Sequence, residues 1–202
     1  MNPNNFFGRL FEAGWIHNPW HVIGITWLAW VASWFIAALW NRQTAARPRF
    51  VDELLYRIVT GMGASFLFGL ARIPALDTPW PVTDAFAWLM AVCVVGGFAF
   101  CWWARLHLGS LWSGNVTRKE NHRIVETGPY ALVRHPIYTG IIVSAFATAF
   151  AIARVESVIG ACLITLGCWI KARLEERFLS QSLGEDYAAY RGRVKMLVPY
   201  LA

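Results

Sequence analysis

From Trp20 to Trp40 the chain carries no Asp, Glu, Lys or Arg, and Ala85 to Ala104 repeats that pattern before ending in Cys101-Trp102-Trp103 against Arg105. Apolar runs of about 20 residues match the hydrocarbon core of a bilayer, where a helix satisfies every backbone hydrogen bond internally. Tryptophans at both ends of the first run place aromatic rings at both interfaces. Three more apolar segments follow the same logic. One runs from about Leu54 to Ala71, with Arg57 near an end where its side chain can snorkel to the headgroups. The others are Pro136 to Ala153, and Ser157 to Ile170, which continues as a charged helix through Arg177. Hydrophobic residues make up 57% of the 202 and charged ones 15%, against about 25% charged in a soluble domain. The expected fold is all-α: a polytopic integral membrane protein of about five transmembrane helices.

The last two segments are joined only by Arg154-Val155-Glu156, which forces an antiparallel C-terminal hairpin. Gly140, Ser144 and Thr148 recur every four residues on one face, and Gly160 and Ala161 lie opposite in the reading of that hairpin. Small residues at this spacing let helices approach closely in lipid. Basic residues are distributed unevenly. Arg42, Arg47 and Arg49 lie in the first link, and Arg105, Arg118, Lys119, Arg123 and Arg134 in the third. Lys171, Arg173, Arg177, Arg191, Arg193 and Lys195 follow the last span, while Arg9, Arg72 and Arg154 fall on the other side. By the positive-inside rule the N-terminus is outside and the C-terminus cytoplasmic. The formal charge of +6 is thereby a topology signal and does not point to nucleic acid. Cys93, Cys101, Cys162 and Cys168 sit inside apolar stretches without ligand spacing, so neither a disulfide nor a metal is expected. No cleavable signal pattern is read near the N-terminus. Pro74 to Pro81 reads as an external turn, and the stretch around Gly184 as a helix stop before a short amphipathic helix on the membrane.

Against this apolar background, Asn121 to Gly140 reads NHRIVETGPYALVRHPIYTG, a polar cassette that enters a helix through Arg134-His135-Pro136. The hairpin brings Tyr138 level with Lys171 to Glu175, so two distant segments, Asn115 to Tyr138 and Lys171 to Tyr190, meet at one cytoplasmic pocket. His122, His135, Tyr130, Tyr138, Arg134, Lys171, Arg173, Glu175 and Glu176 would gather there. Such a set suits a zwitterionic ligand with an aromatic base. The plainer readings are a helix that starts on Pro136 and an ordinary ion pair between Lys171 and Glu175, four residues apart. The convergence of phenols, imidazoles and carboxylates favours a binding site.

In order, His-x-x-Val, Gly-x-Tyr, Arg-His-Pro-x-Tyr-x-Gly, Glu-Glu and Gly-Glu-x-Tyr resemble the isoprenylcysteine carboxyl methyltransferase family and its prokaryotic relatives. The likeness covers the chain from about Leu108 onward and only hydropathy extends it to residues 1–107, so 1–202 is read as one domain with its cofactor-binding part in 108–202. The resemblance implies S-adenosylmethionine as cofactor and a small or lipid-like methyl acceptor entering from the bilayer of a prokaryotic inner membrane. It also implies cofactor contacts at Asn115, at His122, Arg123, Ile124 and Val125, at Tyr130, His135, Pro136, Ile137 and Tyr138, and from Glu175 to the ligand's ammonium. Trp112 is a candidate wall of that pocket. Where eukaryotic members place a substrate-contacting Arg, this chain has Lys171, a point charge without a bidentate fork. Arg134 and Arg173 are the other candidates for contacting the acceptor. A sterol-reductase-like NADPH enzyme is the alternative, since those proteins carry a similar Arg-His-x-x-Tyr segment. A membrane scaffold with no catalysis is the third reading.

Overall fold

The computed structural model describes residues 18–38, 44–46, 50–76, 78–109, 118–119 and 124–199. Its helices are α1 (Pro19–Ala38), α2 (Phe50–Leu67), α3 (Asp84–Leu108), α4 (Pro136–Ile152) and α5 (Val155–Arg193). Two short strands, β1 (Thr44–Ala46) and β2 (Arg118–Lys119), pair antiparallel in the links after α1 and α3. Helices α1, α3 and α5 are long and apolar enough to cross a membrane. Helix α2 carries Asp52, Glu53 and Arg57, and α4 is an apolar helix of 17 residues.

Local chemistry sets the helix ends. Asn18 accepts the Trp20 N–H at 2.9 Å to start α1. Thr83 accepts from Phe86 N–H at 3.3 Å, and Asp84 places an acid in the first turn of α3. Helix α4 opens on Pro136, whose missing N–H costs nothing there. The turn between α4 and α5 is only Ala153, in the left-handed region at φ 60°, and the extended Arg154. Glu156 lies inside α5, where its carboxylate accepts the Ile73 N–H at 2.5 Å and stands 3.9 Å from Arg154. The Pro74–Leu76 turn and the bridge of Pro79 to Arg154 hold the second link against this hairpin turn.

Of the small residues read into the hairpin, Ala161 packs with α4, but Gly140, Ser144, Thr148 and Gly160 turn to other helices. Gly140 and Ser144 turn to α3, where a Cβ on Gly97 would run into the Ser144 hydroxyl and one on Gly140 into the Gly97 carbonyl. Thr148 turns the same way and accepts the Trp27 indole N–H of α1 at 2.9 Å. Gly160 turns to α2 instead: a Cβ on Gly63 would lie 2.8 Å from the Gly160 oxygen. The stripes let two separate helix pairs, α3 with α4 and α2 with α5, come into backbone contact. The hairpin itself closes on Ala145, Ala149, Ala161, Ile164 and Cys168.

One further difference concerns a polar end. Helix α5 kinks at Gly184, which has φ 55° and ψ −126°, and then resumes to Arg193. The resumed segment buries Tyr187 and Tyr190 in protein, so the face expected to rest on the membrane is taken by the cassette.

Candidate functional site

The cassette is anchored at three points. Gly128 has φ 59°, and a Cβ there would lie 2.8 Å from the His107 ring, so only glycine lets the turn Gly128–Ala131 close over the end of α3. His107 in turn meets the Thr127 hydroxyl at 2.7 Å. Tyr190 donates to the Tyr130 carbonyl at 2.7 Å, and Arg193 pairs with Glu126 at 2.6 Å. The third anchor is the chain after α5. Arg134 N–H donates to Lys195 O at 2.8 Å and His135 N–H to Met196 O at 3.1 Å, and Val133 and Lys195 form a parallel bridge. The Thr139 hydroxyl adds Leu197 O at 2.7 Å.

This scaffold delivers Arg134 and His135 to the polar continuation of α5, beyond its apolar part that ends at Ile170. Arg134 binds Glu176 Oε1 through Nε at 2.7 Å and Nη2 at 2.6 Å. Its Nη1 donates to the Val194 carbonyl. Arg191 stands 3.7 Å from the other Glu176 oxygen. His135 lies between consecutive carboxylates, with Nδ1 3.4 Å from Glu175 and Nε2 3.4 Å from Glu176. Burial works against the imidazolium, but hydrogen bonds and charge from both carboxylates outweigh it and raise the His135 pKa above its ordinary value. Burial likewise opposes ionisation of Glu176, yet His135 and Arg134 hold it down to about 2. Glu175 is also held below the usual range: burial is overcome by His135, Lys171 and Tyr138.

Glu175 and Glu176 differ in access. The Glu176 side chain is 4% exposed and ringed by protein cations, whereas that of Glu175 is 20% exposed. Tyr138 donates its hydroxyl to Glu175 at 2.5 Å and stacks on His135, with ring centroids 5.5 Å apart and an interplanar angle of 12°. Lys171 Nζ lies 5.5 Å from the Tyr138 ring centroid and 5.4 Å from that of Tyr56 on α2. Arg173 lies over Trp169 on an exposed face of α5. Tyr130 is buried, and burial more than the neighbouring Glu175 and Tyr190 pushes its phenol pKa up. Pro136 is buried at the start of α4; Ile137 packs into the core and its carbonyl accepts the Cys101 thiol at 3.2 Å. Ile124 and Val125 are half-buried and lie on no helix or strand.

The residues read from sequence thus fall into groups. Tyr138, His135, Glu175 and Lys171 converge. Arg134 and Glu176 lock the scaffold behind them, and Arg173 points elsewhere. Asn115, His122, Arg123 and Trp112 lie outside the described residues. Sequence reading missed Tyr56, because an aromatic in an apolar helix carries no signal of its own. It also missed the ladder between 133–135 and 195–196, whose two short segments have no repeating pattern.

Residues 89–181 match the model of the isoprenylcysteine carboxyl methyltransferase family. A methanethiol S-methyltransferase of Pseudomonas sp. (strain GM41(2012)) is 44% identical over 70 residues, 35% of this chain and 26% of that protein. Protein-S-isoprenylcysteine O-methyltransferase B of Arabidopsis thaliana is 29% identical over 87 residues, 43% of this chain and 44% of that protein. The mouse protein-S-isoprenylcysteine O-methyltransferase is 25% identical over 199 residues, 94% of this chain and 68% of that protein. The first two matches span less than half the length of each relative. They run to methyltransferases, and nothing in them supports the reductase alternative. The family match runs from residue 89 in α3 to residue 181 in α5, taking in the cassette and Glu175-Glu176 and stopping before Gly184-Glu185-Asp186-Tyr187.

Proposed function

We infer that this chain, related to the isoprenylcysteine carboxyl methyltransferase family through residues 89–181, transfers a methyl group from S-adenosylmethionine to a small or lipid-like acceptor at the cytoplasmic face of a prokaryotic inner membrane. The observation that carries this reading is Glu175. Its carboxylate takes Tyr138 on one oxygen and His135 on the other. A carboxylate has about four lone-pair sites, so two remain, and this is the accessible member of the pair. An α-ammonium is the natural partner for a carboxylate held ionised in a partly dry setting.

The rest of the donor set fits the same ligand. The stacked rings of His135 and Tyr138 offer a flat wall, and Ile124 and Val125 offer backbone groups outside regular structure for the adenine. The cofactor would supply an activated methyl on a sulfonium sulfur. The chain's own residues bind and aim it: Glu175 fixes the amino-acid end, Tyr138 and His135 orient Glu175, and Arg134 fixes His135 through Glu176. Most of the rate in such a site comes from positioning. Lys171, between Tyr56 and Tyr138, places positive charge where an acceptor leaving the bilayer would arrive. Charge placement supports five spans with the N-terminus outside and the cassette in the cytoplasm. The relatives include enzymes named for a thiol and for a carboxyl acceptor.

Thermal unfolding in detergent tests the reading. S-adenosylhomocysteine at 100 times its Kd is expected to add about 2.7 kcal/mol of apparent stability, and NADPH none. Glu175→Ala is expected to abolish the shift. Stabilisation by NADPH alone, or a full shift in the variant, would refute the assignment.

A further inference from the structure

On α2, Glu53, Tyr56, Thr60, Gly63 and Leu67 are spaced three and four residues apart and share one stripe. Close contacts fix the register of that stripe on α5. Gly63 meets Gly160 and Ile164, and Thr60 meets Gly167. Each turn toward the start of α2 therefore advances one turn along α5, and Tyr56 reaches Lys171. Glu53 is the next member of the stripe, one turn beyond Tyr56. It is 6% exposed. One carboxylate oxygen binds Arg57, and the other, Oε1, is buried with no hydrogen-bond partner among the described residues. Such an oxygen costs stability unless something with a proton to share visits it.

The other candidate proton acceptors at the site are occupied. His135 stands between two carboxylates, 3.4 Å from each. Tyr138 donates to Glu175, and Glu176 is filled by Arg134. We propose that Glu53 is the general base of the site and that the methyl acceptor is a neutral thiol. This rests on the methyltransferase reading above. A carboxylate acceptor needs no base and would meet like charge in Glu53, whereas a thiol is the common nucleophile nearest a carboxylate in acidity. The S–H proton passes to Glu53, the freed pair on that sulfur forms the bond to the methyl carbon, and the donor's sulfur keeps the pair of the bond that breaks. Lys171 faces the thiolate as it forms, and Glu53 returns its proton to water.

The test compares the parent protein with Glu53→Gln, using ethanethiol, protonated at neutral pH, and 4-nitrothiophenol, whose thiolate forms unaided. The variant is expected to keep the thermal shift with S-adenosylhomocysteine and the helix content of the parent, since Gln fills the same space. Its kcat/KM for ethanethiol is expected to fall about 100-fold or more, and that for 4-nitrothiophenol by less than about threefold. Equal losses on both thiols, unchanged ethanethiol turnover, or a lost thermal shift in the variant would each overturn the role of Glu53 and leave methyl transfer standing. A parent stabilised by S-adenosylhomocysteine that methylates neither thiol would overturn the thiol assignment. No stabilisation and no turnover in the parent would overturn the methyltransferase reading and this inference together.

Discussion

Glu175 and Glu176 are adjacent in sequence, and a helix turns their side chains about 100° apart. That rotation gives one an opening beside Tyr138 and sends the other into the Arg134 guanidinium. The resemblance already pointed to Glu175 as the partner of the ligand's ammonium; the task of Glu176 was not readable, because its partner Arg134 comes from the distant cassette. His135 joins the two, and its placement predicts a pH profile. Its pKa is raised in the folded protein above 6.5, so the stability it contributes is full below about pH 6.5 and is lost as pH rises through the folded value. Glu176 acts in the opposite sense. Its folded value of about 2 lies below the ordinary 4.5, so its contribution is present above about pH 4.5 and is lost as pH falls toward 2. Thermal unfolding between pH 4 and 9 without ligand is expected to show highest stability near pH 4.5 to 6.5. His135→Gln is expected to flatten the alkaline side of that profile. A profile unchanged in the variant would separate His135 from the carboxylates.

At the scale of the helices, hydropathy placed α1 to α4 and the start of α5 within a few residues of their observed ends, since long apolar runs have few alternatives; α5 runs on past the expected Arg177 to Arg193. Partner choice was a different matter. The spacing of Gly140, Ser144, Thr148 and Gly160 announced close helix approach, but a stripe of small residues does not say which neighbour it meets. Here the answer is set by the glycines of two other helices, Gly97 and Gly63. The consequence is testable by contrast within single helices. Gly63→Ala is expected to destabilise by about 1–3 kcal/mol through overpacking, because a Cβ there falls 2.8 Å from the Gly160 oxygen. Gly61, two residues earlier, has nothing among the described residues within 4 Å of its ideal Cβ, so Gly61→Ala is expected to be neutral or to stabilise by up to about 1 kcal/mol from helix propensity. Unfolding temperatures in one detergent measure both. Equal effects would show that α2 and α5 do not touch where these contacts lie.

For the molecule as a whole, the site is assembled by a segment that sequence reading left without a task. Four donors on the cassette and α4 point at carbonyls between residues 194 and 197: the Arg134 amide and guanidinium, the His135 amide and the Thr139 hydroxyl. Short extended segments pair without periodicity or turn signals, which is why neither 133–135 nor 194–197 announced the other. The arrangement makes the end of the chain a brace for a ligand site built elsewhere. The close helix contacts of Gly63 with Gly160 and of Gly97 with Ser144 are made without that brace. Ending the chain after Arg193 is therefore expected to leave far-ultraviolet helix content nearly unchanged, while the four stranded donors release Arg134 and with it His135. Stabilisation by S-adenosylhomocysteine is expected to vanish, as in Glu175→Ala, although Glu175 itself is intact. Loss of helix content in step with the ligand effect would make the tail part of the fold instead, and an undiminished ligand shift would mean that α5 alone holds the site in place.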